Sequence, residues 1–204
     1  MALKERVCVY IDGFNLYFGM TSSYPKLKWL DVEALSKNLL KENQTLINCN
    51  YFTARVRNNQ PKERRQTKYL DALQTTNIEI IYGKFYSKPV SCRRCHNTWK
   101  GNEEKMTDVN IAAKILTDAL EDKYDTAIII SGDSDLTPPA RAIKKFYPDK
   151  KVIVAFPPNR SSYELKNIAH GSFTIGRAKL LASQLPNSIE TLSGYIINKP
   201  DQWI

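Results

Sequence analysis

Val7-Cys8-Val9-Tyr10-Ile11 runs into Asp12-Gly13-Phe14-Asn15, and later in the chain Ala127-Ile128-Ile129-Ile130 runs into Ser131-Gly132-Asp133-Ser134-Asp135. Both apolar runs are of strand length, and both deliver a carboxylate at their C-terminal end. Strands that are apolar nearly throughout are covered on both faces, as in a parallel sheet with helices above and below it. The two runs fall in the strand candidates Arg6–Ile11 and Thr126–Ile130; outward from them lie Leu46–Arg55, Ile78–Phe85, Lys151–Phe156 and Phe173–Ile175. Helical stretches fill the intervals at Phe14–Met20, Asp31–Leu40, Lys62–Gln74, Thr107–Asp122, Pro138–Phe146 and Ser162–Ala169. This alternation predicts an α/β fold with a central, mostly parallel sheet flanked by helices in three layers. In Thr107–Asp122 the spacing of Val109, Ala112, Ala113, Leu116, Ala119 and Leu120 predicts an apolar stripe against the sheet, with Asp108 in the first turn.

The composition agrees with a single packed domain. The chain has 204 residues, 42% hydrophobic and 25% charged, which excludes intrinsic disorder as the main state. Its longest aliphatic runs fall far short of the roughly 18 residues of a membrane span. The opening Met1-Ala2-Leu3-Lys4-Glu5-Arg6 turns charged at once, unlike a signal peptide, so a cytoplasmic location and no membrane partner are expected. Thirty Lys and Arg against 21 Asp and Glu give a net charge of +9, which biases the partner toward a polyanion.

The acids carry the chemistry. In open α/β sheets ligands bind at the C-terminal edge of the strands. If the two acid-tipped strands are neighbours, Asp12, Asp133 and Asp135 share one rim, and Asp108 closes the ring from the start of a helix. An aspartate after a strand most often caps a helix or makes a turn; three of them, each behind an apolar strand, favour a shared site. Asp108 alone is equally a first-turn acid answering the helix dipole. Asn15 either orients a water or phosphate or caps Phe14–Met20. Gathered carboxylates raise one another's pKa unless a cation neutralises them, and Mg²⁺ or Mn²⁺ takes oxygen ligands and bridges naturally to phosphate. Metal-assisted hydrolysis of a phosphodiester fits this set. Asp133-Ser134-Asp135-Leu136-Thr137 also resembles the D-x-D-x-T signature of haloacid dehalogenase-type phosphatases, a family that carries the motif on its first strand rather than here.

Three stretches together resemble the NYN domain, a PIN-like ribonuclease family that includes the LabA-like bacterial proteins. They are Val9-Tyr10-Ile11-Asp12-Gly13-Phe14-Asn15, Glu104-Lys105-Met106-Thr107-Asp108-Val109 and Ile130-Ser131-Gly132-Asp133-Ser134-Asp135, and the likeness covers about residues 5–180. The resemblance implies a Mg²⁺- or Mn²⁺-dependent endoribonuclease with Asp12, Asp108, Asp133 and Asp135 as its acidic ring and Asn15 beside it. Attack by a metal-activated water would leave a 5′-phosphate and a 3′-hydroxyl. It also implies self-association, since many such proteins form dimers. Some members bind RNA without cutting it, so an inactive RNA-binding or scaffold protein is the alternative.

On this reading residues 5–182 form the nuclease domain, interrupted at about 87–102 by a cysteine-containing insertion. The tail, 183–204, keeps Leu185, Ile189, Leu192, Tyr195, Ile196, Ile197 and Trp203 and is expected to pack on the domain or a partner. Cys92-Arg93-Arg94-Cys95-His96 offers two thiolates to a Zn²⁺, which needs His96, the distant Cys49 or a second protomer to complete it. Exposed reduced thiols are the competing reading. Cys8 reads as core, and so does Cys49, which alternates with Ile47 and Tyr51 on the inward face of its strand. Arg57, Lys62, Arg64 and Arg65 cluster at the start of a helix, and Lys84, Lys88, Arg93, Arg94 and Lys100 interleave with Tyr82, Phe85, Tyr86 and Trp99. Cations beside aromatics suit single-stranded RNA, while lysines along an edge strand also prevent aggregation. Lys105, three residues before Asp108, reads equally as a contact to a scissile phosphate and as a solvent-exposed side chain. His170 before Gly171 reads as a helix C-cap.

Overall fold

The computed structural model describes residues 4–91, 94–95 and 97–203. The chain runs β1 (Glu5–Asp12), α1 (Gly13–Ser23), α2 (Val32–Leu39), β2 (Gln44–Thr53), α3 (Gln60–Leu73), β3 (Glu79–Tyr82), β4 (Lys84–Ser91), β5 (Thr98–Lys105), α4 (Thr107–Leu120) and β6 (Thr126–Ile130). It continues through α5 (Thr137–Phe146), β7 (Lys151–Phe156), α6 (Tyr163–Ile168), β8 (Gly171–Thr174), α7 (Arg177–Ala182), β9 (Ser188–Glu190) and β10 (Ile196–Asn198). Six strands form one sheet in the order β3-β2-β1-β6-β7-β8, and every pairing in it is parallel. The chain builds outward from β1 to β3, then returns to the middle and builds outward from β6 to β8. The reversal between β1 and β6 is the topological switch point of a doubly wound sheet.

Alternation along β1 divides the interior in two. Val7, Val9 and Ile11 pack with Leu16 and Met20 of α1, Leu35 of α2, Leu70 and Leu73 of α3 and Leu180 of α7. Cys8 and Tyr10 face the opposite layer, with Ile111 and Ile115 of α4, Ala140 and Ile143 of α5 and Leu165 of α6. All five residues of β6 are buried, as strands covered on both faces require. No helix among the described residues is long and apolar enough to cross a membrane.

The structure departs from the sequence expectations at several points, each with a local cause. In α4 the buried face is Thr107, Ile111, Ile115, Asp118 and Ala119, while Val109 and Leu120 are exposed. The helix is rotated from the expected stripe because Asp118 is an interior residue. Its carboxylate accepts the Tyr10 hydroxyl at 2.9 Å and meets Lys114 and Lys123 at 3.2 Å each, the partners a buried charge needs. Ile47, expected inside with Cys49 and Tyr51, is exposed. The β1–β2 register slips between Val7/Leu46 and Cys8/Asn48, so Ile47 is the extra residue of a bulge. The candidate strand Ile78–Phe85 is two strands: β3 joins the main sheet, and β4 leaves it to pair antiparallel with β5. The break is at Gly83, where a Cβ would lie 2.6 Å from Thr107 Oγ1 and 2.8 Å from the Lys105 carbonyl oxygen. His170 does not cap α6. Its Nδ1 accepts the Val152 N–H at 3.0 Å as β8 joins β7.

The C-terminal segment reaches back across the α1 and α3 layer. Trp203 is buried among Tyr17, Trp29 and Tyr69, with ring centroids 5.6–6.5 Å apart, and the Trp29 indole N–H donates to the Pro186 carbonyl at 2.7 Å. Leu192, Tyr195 and Ile196 of the same segment stay exposed. Removing a buried indole typically costs about 3–5 kcal/mol. Trp203→Ala is therefore expected to lower the unfolding free energy by about that much in urea titration; a loss below about 1 kcal/mol would show that the segment only lies on the domain.

Candidate active site

The parallel register sets Ile11 beside Ile130, so the loops after β1 and β6 leave the sheet side by side. Asp12 ends β1, is 6% exposed and caps α1. One carboxylate oxygen accepts the Asn15 N–H at 2.9 Å and the other accepts the Ser131 hydroxyl at 3.0 Å. Ser131 Oγ in turn accepts the Asp133 N–H at 3.1 Å. The Asn15 side-chain oxygen accepts the Gly132 N–H at 2.9 Å, so Asn15 ties the two loops together; the cap of α1 is Asp12. Asp133 accepts the Asp135 N–H at 3.0 Å and caps the short 3-10 turn Ser134–Leu136. Ser131, which the sequence reading passed over, is the hinge of this network.

Two glycines make the close approach possible. A Cβ on Gly13 would lie 2.6 Å from the Tyr51 ring and 2.7 Å from the Phe52 carbonyl oxygen, and one on Gly132 would lie 2.9 Å from the Ser161 nitrogen. Asp108 arrives from the first turn of α4. The residue before that helix, Met106, has φ 76°, a left-handed conformation that costs a non-glycine residue roughly 1–2 kcal/mol. Strain of this kind is characteristic of functional loops.

Asp108 and Asp12 feel the acids around them. Burial, followed by the charges of Asp12, Asp133 and Asp135, pushes the Asp108 carboxyl up to about 6. Burial also raises Asp12, against the hydrogen bonds from Asn15 and Ser131 and with a further push from Asp133. Among the described residues no three His, Cys, Asp or Glu side chains stand close enough to hold one ion directly. The described residues therefore form no closed cage; a cation held by these oxygen donors would have to keep most of its own waters, as Mg²⁺ does.

The basic residues lie on two parts of the chain, α3 with the loop before it and the β4–β5 hairpin. Arg57 and Arg64 are exposed at and before the start of α3, and Arg65 lies near Lys28, whose pKa is lowered by burial and by that neighbouring charge. Lys84 and Lys105 face each other at the base of the β4–β5 hairpin, and Arg94 is exposed. Arg93, Cys92 and His96 lie outside the described residues. Cys95 is exposed. Cys49 is buried 3.2 Å from Ser36 Oγ, and burial pushes its thiol up to about 12, which removes it as a further ligand for the cysteine knuckle. Sequence reading also missed Arg160, whose guanidinium lies 6.0 Å over the ring of Phe18, itself stacked on Phe14 at 6.2 Å. No signal marked it, because it is a lone arginine in a loop.

This arrangement, acids at the switch point of a doubly wound sheet, coincides with a match to the NYN domain family over residues 6–178. The chain belongs to the NYN domain family. It is 29% identical to the 6-hydroxy-3-succinoylpyridine 3-monooxygenase HspA of Pseudomonas putida, across 97% of this chain and 75% of that protein. The crystal structure of a protein of unknown function, VPA0982, from Vibrio parahaemolyticus superposes with a TM-score of 0.57 at 21% identity, covering 91% of this chain and 99% of that one. That likeness shows the shared fold.

The raised Asp108 pKa makes a stability prediction for this NYN domain in the absence of divalent cations. A carboxyl at about 6 in the folded chain against 3.8 in the unfolded one favours folding in its protonated form. Its contribution is complete below pH 3.8 and is lost as the pH rises through 6. Asp108 is half-exposed, so screening reduces the effect to about 1–2 kcal/mol. In EDTA, Asp108→Asn should be more stable than wild type at pH 7.5 and nearly equal to it at pH 4; equal melting temperatures at both values would remove the coupling among the acids.

Proposed function

We propose that this NYN domain is a divalent-metal-dependent endoribonuclease acting on single-stranded RNA, with Asp12, Asp108, Asp133 and Asp135 as its acidic centre. The observation that carries the reading is the gathering of the four acids at the switch point, where burial, followed by the charges of Asp12, Asp133 and Asp135, raises Asp108 to about 6. Asp12, held by Asn15 and Ser131, and Asp133, held by its own turn, are the residues that would hold a hydrated Mg²⁺ or Mn²⁺. Such an ion supplies an activated water and neutralises charge on the phosphate. Asp108, on α4 and within electrostatic reach of the other three acids, is the group we assign to receive a proton from the attacking water. Asp135 adds negative charge on the same rim. Asn15 keeps both acidic loops in register.

The cationic rim supplies the other half of the reading. Lys105, at the hairpin base just before α4, and Arg57, Arg64, Arg65, Lys84, Arg93 and Arg94 are the groups we assign to the RNA backbone. Phosphate contacts of this kind give sequence-independent, salt-sensitive affinity. The hydroxylation in the name of the Pseudomonas relative belongs to that protein, whereas the acid ring beside a basic surface favours a phosphodiester here.

The test is cleavage of an unstructured RNA in Mn²⁺, Mg²⁺ and EDTA by wild type and Asp133→Asn purified in parallel. Metal-dependent cutting that the substitution reduces at least about a hundredfold, with RNA affinity unchanged or tighter, is expected for a group of this role. RNA bound but uncut by both proteins would instead identify a binding or scaffold protein on the nuclease fold.

A further inference from the structure

A cleft of about 320 Å³ opens at the C-terminal ends of β7 and β8, one wall away from the acidic loop. Tyr163 offers aromatic surface to it, Ser161, Ser172 and Thr174 offer hydroxyls, and Lys166 offers a cation; no carboxylate lines it. The wall is shared in a literal sense, because the Ser161 nitrogen is the atom that leaves Gly132 no room for a side chain. Gly132 immediately precedes Asp133. Strands in a sheet are about 4.8 Å apart, so the mouth of the cleft stands roughly 5–10 Å from the end of β6, a reach of one or two nucleotides along a single strand.

A second cleft makes an instructive contrast. It holds about 290 Å³, lies at the opposite, N-terminal ends of the strands, and is lined by Glu5, Gln44, Thr126 and Lys151. It has a carboxylate that would repel phosphate, and it is a sheet's length from the acids. Of the two, the first combines stacking surface, hydrogen-bonding hydroxyls and a positive charge with proximity to the acidic ring. Tyr163 is 80% exposed, so its ring is available to a ligand without unpacking the core.

We infer that the β7–β8 cleft is a nucleotide subsite that seats one base of the RNA beside the scissile phosphate, stacked on Tyr163, with Lys166 on the adjoining phosphate. The inference rests on the proposed reading of the acidic loop as the cleavage centre. Stacking on an aromatic ring tolerates any base, so the subsite sets the position of the strand; the hydroxyls of Ser161, Ser172 and Thr174 are the groups able to distinguish one base edge from another.

The experiment is photo-crosslinking of a short oligouridine containing 4-thiouridine to the full chain in EDTA, where cutting is not required, followed by peptide mapping. Binding by fluorescence anisotropy is measured in parallel for Tyr163→Ala, Tyr163→Phe and Lys166→Ala, all surface changes whose melting temperatures serve as the folding control. Crosslinks within residues 161–174, with affinity reduced about tenfold in Tyr163→Ala and Lys166→Ala and retained in Tyr163→Phe, are expected. Crosslinks confined to α3 or the β4–β5 hairpin, or variants that bind as wild type does, would overturn the subsite even if metal-dependent cleavage is observed. Crosslinks at 161–174 with no cleavage by wild type would sustain the subsite and reject the nuclease reading. Failure to bind the oligonucleotide at all would reject both.

Discussion

The parallel pairing of β1 with β6 is the constraint on which the rest depends. These two strands sit at the centre of the sheet although a long stretch of chain separates them, and their in-register ends bring loops of like charge together. Carboxylates in such proximity resist one another, and the fold absorbs that resistance with short hydrogen bonds from Asn15, Ser131 and the loop backbone. Burial under helices on both faces holds the strands in place while the acids stand at the rim. The scaffold thus keeps like charges closer than they would choose, which is the physical condition for demanding a cation or a proton.

The architecture was largely legible in the sequence because both central strands are apolar throughout and their acids follow at once. Periodicity failed where a polar residue belongs to the interior. Asp118 looks like a surface residue until Tyr10, Lys114 and Lys123 are seen around it, and a reader who assigns it to solvent rotates α4 the wrong way. Ile47 misled in the opposite sense, because a bulge has no signature in side-chain pattern. Gly83 divides what reads as one strand, and the reason is a neighbour in space, Thr107, rather than one in sequence.

The site followed the same division. Asp12, Asp108, Asp133 and Asp135 were visible because each occupies a position that topology, once guessed, directs to one rim. The role of Asn15 was open between two local readings, and the structure shows a long-range one, the bond to Gly132. Ser131 and Arg160 were hidden for a related reason: their importance lies in which loops they touch. The short elements α7, β9 and β10 carry little periodic signal of their own, and contacts of Leu180, Leu185, Ile197 and Trp203 with the core hold them.

The buried Asp118 has a consequence for the far end of its helix. Its partner Tyr10 lies two residues before Asp12 on β1, and Asp118 and Asp108 are carried by the same rigid cylinder, α4. Turning that cylinder about its axis would unpair an interior charge, at a cost of several kcal/mol, so the polar strut works as an indexing pin. It fixes the angle at which Asp108 is presented to Asp12, and a strand and a helix that meet at one end by hydrogen bonding are thereby aligned at the other, where their acids meet.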